Sequence, residues 1–176
     1  MANHAVVRLD RLEGTGDSNA LISIEYLGAN GSTPTDIDNG NVLKPGALMA
    51  IDATNGIYER EVFVGAACAA GDKLEDIVLV ASPEVMYDER LRGLEDFYNV
   101  KGHAARAYRL RSGDIFSVTK DALDGVASPA IGNVVELKAG TKLNVAASAT
   151  NGSTQVGKVI AIDVVGRYTF YVIKVD

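Results

Sequence analysis

The stretch RYTFYVIKV, Arg167 to Val175, places Tyr168, Phe170 and Val172 on one side and Tyr171, Ile173 and Val175 on the other. A period of two marks a β-strand. Apolar residues on both faces mark a strand covered on both sides, by a second sheet or by a partner chain. QVGKVIAIDVV (155–165), DIFSVTK (114–120), EREVFVG (59–65) and KLEDIVLVA (73–81) carry the same kind of pattern. Near the start, AVVRLDRLE and ALISIEYLG each alternate in part around the turn-like GTGDSN. They predict a hairpin with little core of its own, which needs another surface to lie on. That surface is either the chain's own sheet or a partner.

One segment departs from the strand pattern. SPEVMYDERLRGLEDFYNVKG (82–102) opens Ser-Pro-Glu, the order of a helix cap, a first-turn proline and an acid. Leu91, Leu94 and Phe97 recur at a spacing of three, on one helical face, while Gly93 weakens the helix. The segment reads as a short helix or a long irregular excursion. It either caps a β-barrel or presents an aromatic and charged docking surface.

A phrase occurs twice. GNVLKPGALMAIDATNG (40–56) returns as GNVVELKAGTKLNVAASATNG (132–152), with two more residues at VVEL against VL and two more before Ala-Thr-Asn-Gly. Each copy reads as turn, strand, Lys-x-Gly turn, strand, Asn-Gly turn: one β-hairpin unit used twice. Asn-Gly occurs four times, at 30–31, 39–40, 55–56 and 151–152, and supplies the positive φ of tight turns. Two related lobes, two equivalent hairpins in one domain, and chance likeness between turn-rich stretches all produce such a repeat. The resulting expectation is a mainly β chain of two small lobes, barrel- or sandwich-like. An N-terminal arm spans 1–35, a first lobe 36–81, a connector 82–104 and a second lobe 105–176.

Composition narrows the function. The 176 residues suit one or two domains and, with 47% apolar and 23% charged residues, a packed core. A net charge of −6 gives no excess of cations to neutralise phosphates, so nucleic acid is not the expected partner, whereas a basic protein surface is compatible. No run approaches the ~20 apolar residues of a membrane span, and the first residues do not read as a signal peptide. The single cysteine, Cys68, sits among small apolar residues and reads as a buried, inert thiol.

The search for chemistry finds no catalytic, cofactor-binding or metal-binding set. The two histidines, His4 and His103, lie in the arm and in a loop, and no Gly-x-Ser-x-Gly elbow accompanies them. GTGDSN lacks the third glycine and the following helix of a dinucleotide loop. DIDNGN (36–41) resembles a calcium loop, but its glycine falls one place early and Ala47 stands where the bidentate acid belongs. Neighbouring acids such as Asp72 with Glu75 and Asp76 read as solvated surface. Asn30 and Asn151 each open a glycosylation sequon and read as turn residues. These observations predict a protein that is not an enzyme and needs no cofactor.

The segment SPEVMYDERLRGLEDFYNVKG, followed two residues later by ARAYRLRSGDIFSVTKDAL, the later GTKLNVA and the final YVIKV, resembles a family of virion proteins. These are small structural proteins encoded beside the major capsid gene in tailed phages and prophages of Gram-positive bacteria. The likeness covers most of the chain after residue 40 and rests on strand and turn residues. It implies a capsid decoration, or cement, protein made in the bacterial cytoplasm and bound to the virion exterior. Its partners would be the major capsid protein and copies of itself, with no nucleic acid and no membrane. The candidate contact residues are Val6, Val7, Leu9 and Leu12 in the arm and Tyr87, Arg90, Phe97 and Tyr98 in the connector. A tail protein, a β-rich module for glycans or host surfaces, and a carboxylate-pair hydrolase are the alternatives.

Overall fold

The computed structural model describes residues 3–12, 20–52, 57–85 and 93–176. The chain is mainly β, in two lobes. Its strands are β1 (Leu21–Tyr26), β2 (Val42–Asp52), β3 (Ile57–Ala66), β4 (Val78–Val80), β5 (Ala105–Arg109), β6 (Ile115–Thr119), β7 (Leu123–Gly125), β8 (Val134–Glu136), β9 (Leu143–Ala146), β10 (Gln155–Val165) and β11 (Tyr168–Val175). The described helical segments are single 3₁₀ turns, and none is long and apolar enough to cross a membrane.

The first lobe is a closed barrel in the order β1-β3-β2-β4-β5, with β5 returning to β1. Within it, β1 and β3 run parallel and the other described pairs antiparallel. The second is a six-stranded curled sheet, β6-β11-β10-β8-β9-β7, antiparallel except for β7 with β9. Its two outermost strands are consecutive in the chain, joined by the 3₁₀ turn Lys120–Ala122, so the sheet bends round until its ends approach each other.

Residues 77–81 show how the lobes become one body. Val78 and Val80 point into the barrel with Ile24, Leu43, Ala105 and Ala107. Ile77, Leu79 and Ala81 point the other way, into a larger core shared with Phe116, Val135, Leu143 and Ile173 of the second sheet. An unbroken apolar run is what a strand buried on both faces requires. Leu43 and Val42 divide in the same way, one into the barrel and one into the shared core. Backbone hydrogen bonds cross this junction: Val42 N–H donates to Thr141 O at 2.7 Å and Thr154 N–H to Ala70 O at 2.8 Å.

The expected segments divide differently in the structure. β1, placed in the arm by position, is a barrel strand, and β5, placed in the second lobe, closes that barrel. The two alternating runs of the arm do not pair with each other. The first joins the free side of β6, where Val7 bridges Val118, and the second becomes β1. The turn between them lies outside the described residues apart from its flanks. KLEDIVLVA is a 3₁₀ turn, Leu74–Asp76, followed by the short β4. The Ser82 expected to cap a helix is occupied otherwise. Its hydroxyl accepts the Arg106 N–H at 2.9 Å, and the described part of the connector holds only the 3₁₀ turn Leu94–Asp96.

The repeated phrase folds in two ways. The second copy is the expected hairpin, β8 and β9 joined through Gly140. The described part of the first copy, 40–52, runs into one irregular strand, β2, whose pairing with β3 shifts between Pro45 and Leu48. The two extra residues of the second copy include Glu136, which is 1% exposed. Its carboxylate accepts bonds from Asn144 Nδ2 (2.8 Å), Thr150 N–H (2.9 Å) and Thr150 Oγ1 (2.6 Å), tying β8 to β9 and to the following turn. The first copy has no acid at this place and nothing equivalent to fold it back.

Candidate functional site: the arm and connector surface

The two segments singled out as contact surfaces meet each other. His4 Nδ1 lies 2.6 Å from Asp38 Oδ1, and the His4 ring stacks on Tyr98 with centroids 4.7 Å apart. The His4 N–H donates to Glu95 O at 2.9 Å. Beyond it, Thr119 N–H donates to Val6 O, Val6 N–H to Thr119 Oγ1, and Arg8 N–H to Ser117 O, so residues 6–8 extend the second sheet. Arg8 then lies over the Phe170 ring, 5.5 Å from its centroid, pairs with Asp10 and stands 3.7 Å from Asp163. Arg8 of the arm thus covers the Phe170 ring on the second face of β11.

This placement decides what the candidate residues are able to touch. Val6 and Val7 are each 1% exposed, so as placed they present nothing to a second molecule. Leu9 and Leu12 are partly buried against the shared core. Burying one Val of this kind contributes about 1.5–3 kcal/mol, so the arm is part of the folded body. Phe97 is buried, Tyr98 is covered on one face by His4, and Tyr87 and Arg90 lie outside the described residues. An apolar alternating run reads the same whether it buries against its own sheet or a partner's.

Under the connector lies a buried polar cluster that the sequence reading missed. The Asn39 side chain pairs with the backbone of Ser82 as a strand neighbour would: Oδ1 accepts Ser82 N–H and Nδ2 donates to Ser82 O, both at 2.9 Å. Asn99 Nδ2 donates to Ile37 O at 3.0 Å and reaches Asn39 Oδ1 at 3.2 Å. Asn39-Gly40, expected at a hairpin tip, is therefore an interior corner. Gly40 has φ +81°, and a Cβ there would stand 2.9 Å from Ala122 and 3.2 Å from Val7. Burial raises the Glu84 carboxyl to about 7, against the opposing effect of a hydrogen bond from Asn39. Alternation of polar and apolar residues carries no sign of this cluster, because its members come from three separate segments.

Beside the cluster opens a groove of about 770 Å³, lined by Ser82, Val85, Phe97, Tyr98, His103 and Arg106 among others. On the far side, Glu95 binds Arg167 and the Tyr168 hydroxyl at the tip of the β10–β11 hairpin. The hydrogen bond from Tyr168, with help from Arg167, holds the Glu95 carboxyl below the usual range. His4 and Asp38 form an imidazole–carboxylate pair, but a nucleophile is needed beside it for acyl transfer. The Ser82 and Thr119 hydroxyls accept the Arg106 and Val6 N–H groups. The calcium-like acids are likewise occupied, Asp36 accepting the Lys101 N–H at 2.7 Å and Asp38 holding His4. No group of three or more metal-ligating side chains gathers among the described residues. The groups gathered here act as ties between segments.

Comparison of the chain with protein-family models, with curated proteins and with solved structures finds no match.

Proposed function

We propose that this chain is a non-enzymatic virion structural protein that binds the outside of a phage capsid and stabilises the shell. The observation that carries the reading is the use made of its polar groups. His4, Asp38, Glu95 and Arg167 each join segments distant in sequence, Glu136 locks its own hairpin, and two lobes share one core. A body tied in this way suits a role under mechanical load, in which shape must survive strain from the shell beneath. Its net charge of −6 suits a basic patch on the capsid subunit.

Purified particles from a phage or prophage encoding this chain provide the test. Mass spectrometry is expected to find the polypeptide in a fixed ratio to the capsid subunit, and a cryo-EM map to place it on the outer face of the shell. Particles that lack it, or that carry it only in the tail, overturn the reading. A glycan-binding module is the second reading, favoured by the groove beside Phe97 and Tyr98. Those rings are poor stacking platforms as they stand, one buried and one covered by His4. Retention on a glycan array by the isolated protein would favour that module instead.

A further inference from the structure

The β10–β11 hairpin overhangs the second sheet. β8 pairs with β10 only over Gln155–Lys158, whereas β11 accompanies β10 to Val165. Val159 still bonds to the 132–133 turn. From Ile160 onward, no strand among the described residues pairs with the second side of β10. On this overhang Ile160 is 41% exposed, Ile162 39%, Val164 72% and Val165 45%. Ile162 is paired with Tyr171, which is itself paired with the buried Val118, so Ile162 and Val164 continue the core-facing side of the sheet beyond the core. An exposed apolar strand edge of this kind is a template for another strand, and proteins normally blunt it with lysine, proline or a cover.

We infer that the free edge of β10 pairs antiparallel with the same edge of a second copy of this chain, about a two-fold axis at Ile162. Self-pairing is favoured by the register it allows. Centred on Ile162, it sets Ile160 opposite the second copy's Val164 and the two Ile162 side chains opposite each other. Asp163, the one charged residue between Ile160 and Val165, then faces Ala161. A register centred one residue later would oppose two aspartates, which is unfavourable. The segment 160–165 carries a single charge, so pairing it with its own copy brings little like charge together. A two-fold contact of one strand with its own copy is also self-complementary by construction. The few residues a side, 160–165, fall well short of the roughly 1,200 Å² of stable complexes, so the pairing is weak and concentration-dependent in solution. The inference does not rest on the capsid reading.

The test uses the full chain. Sedimentation velocity from about 10 μM to 1 mM is expected to show a reversible shift from monomer to dimer, lost in Ile162→Lys, which sets two like charges face to face. Cys68 is buried, so one added cysteine reports alone. Directly opposed residues of an antiparallel pair have Cα atoms ~4.5–5.5 Å apart, inside the ~4.4–6.8 Å that a disulfide spans. Ile162→Cys should therefore oxidise to a covalent dimer at least tenfold faster than the exposed control Ser128→Cys, and faster than Asp163→Cys. Circular dichroism and melting of each variant confirm that the fold is kept. A wild-type chain monomeric at 1 mM overturns the inference. So does a dimer that survives Ile162→Lys, or an Ile162→Cys variant that cross-links no faster than the control.

Discussion

Cys68 and Gly140 exchange two backbone hydrogen bonds, Cys68 N–H to Gly140 O at 2.9 Å and Gly140 N–H to Cys68 O at 3.0 Å. One residue follows a barrel strand and the other turns the second copy of the repeated phrase, so this bridge stitches the lobes together. Gly140 has φ +132°, a conformation that side-chain-bearing residues rarely adopt. Gly140→Ala is expected to cost about 1–3 kcal/mol through backbone strain alone, since no atom lies near the added methyl. Burial pushes the Cys68 thiol up to about 12, with the nearby Asp72 charge acting in the same sense. At pH 8 a thiol reagent should therefore label native protein only through opening of this junction. Labelling should quicken about 5- to 150-fold in Gly140→Ala, the range that a cost of about 1–3 kcal/mol implies. Fast labelling of the wild type would show that the bridge does not close the site.

Glu136 is expected to control the acid limb of stability. Burial alone would raise its carboxyl, but the bonds from Thr150 and Asn144 outweigh that and hold it below the ordinary value. The stabilisation is therefore complete above the unfolded value, about 4.5, and is lost as pH falls through the lower folded one. Glu136→Gln should lower the urea midpoint at pH 7 by an equivalent of ~1–3 kcal/mol, because hydrogen bonds to a buried charge are replaced by weaker or mismatched ones. Its deficit should narrow below pH 4. An equal deficit at pH 7 and pH 3 would mean that the charge is irrelevant.

How far the sequence reveals this arrangement depends on the range of the contacts. Periodicity places β10 at residues 155–165 and puts β11 within one residue of its start, because a period of two is a local property. The same rule finds the run at 77–81 but not its reason, which is two cores on opposite faces. Partners are not local: Val6 and Thr119 are 113 positions apart, and nothing in AVVRLDRLE names its mate. Contiguity misleads in the same way at β1 and β5, which flank the expected first lobe and close its barrel. The repeat was legible as likeness but not as structure, because one buried acid distinguishes a hairpin from a strand. At the candidate surface, residue types drew attention to Phe97 and Tyr98. That His4 of the same chain covers Tyr98 is a fact of tertiary structure alone.

Glu84 opposes Glu136. Its folded value, about 7, is above the unfolded one because burial disfavours the charge, and its Oε1 is buried without a hydrogen-bond partner. Its neutral form is accommodated below about pH 4.5, and the protein loses stability as pH rises from there through about 7. Because the group is only partly buried, solvent screening leaves an effect of about 1 kcal/mol. Glu84→Gln should therefore be the more stable protein at pH 8 and show no such advantage at pH 4. Taken with Glu136, these two groups place their joint optimum near pH 4.5, at about the unfolded value of both. A pH series of urea midpoints for the two variants separates the limbs. If Glu84→Gln is destabilising at pH 8, the hydrogen bond from Asn39 outweighs the cost of burying the charge.

The arm should behave as core. Val7 in the arm, Leu79 in the barrel and Leu143 in the second sheet all belong to the shared cluster. Replacing each with alanine is expected to cost ~2–4 kcal/mol, the valine at the lower end. All three should shift one and the same unfolding transition, with calorimetric and van't Hoff enthalpies equal. Lobes that fold separately would instead give two transitions, with Leu143→Ala moving only one of them. The outcome also decides how the capsid reading is tested. Deleting the first 20 residues removes buried Ala5, Val6, Val7 and the segment that bridges β6, so lost binding would follow from lost folding. Substitution at exposed overhang residues such as Val164, 72% accessible, leaves the core intact and makes capsid occupancy interpretable.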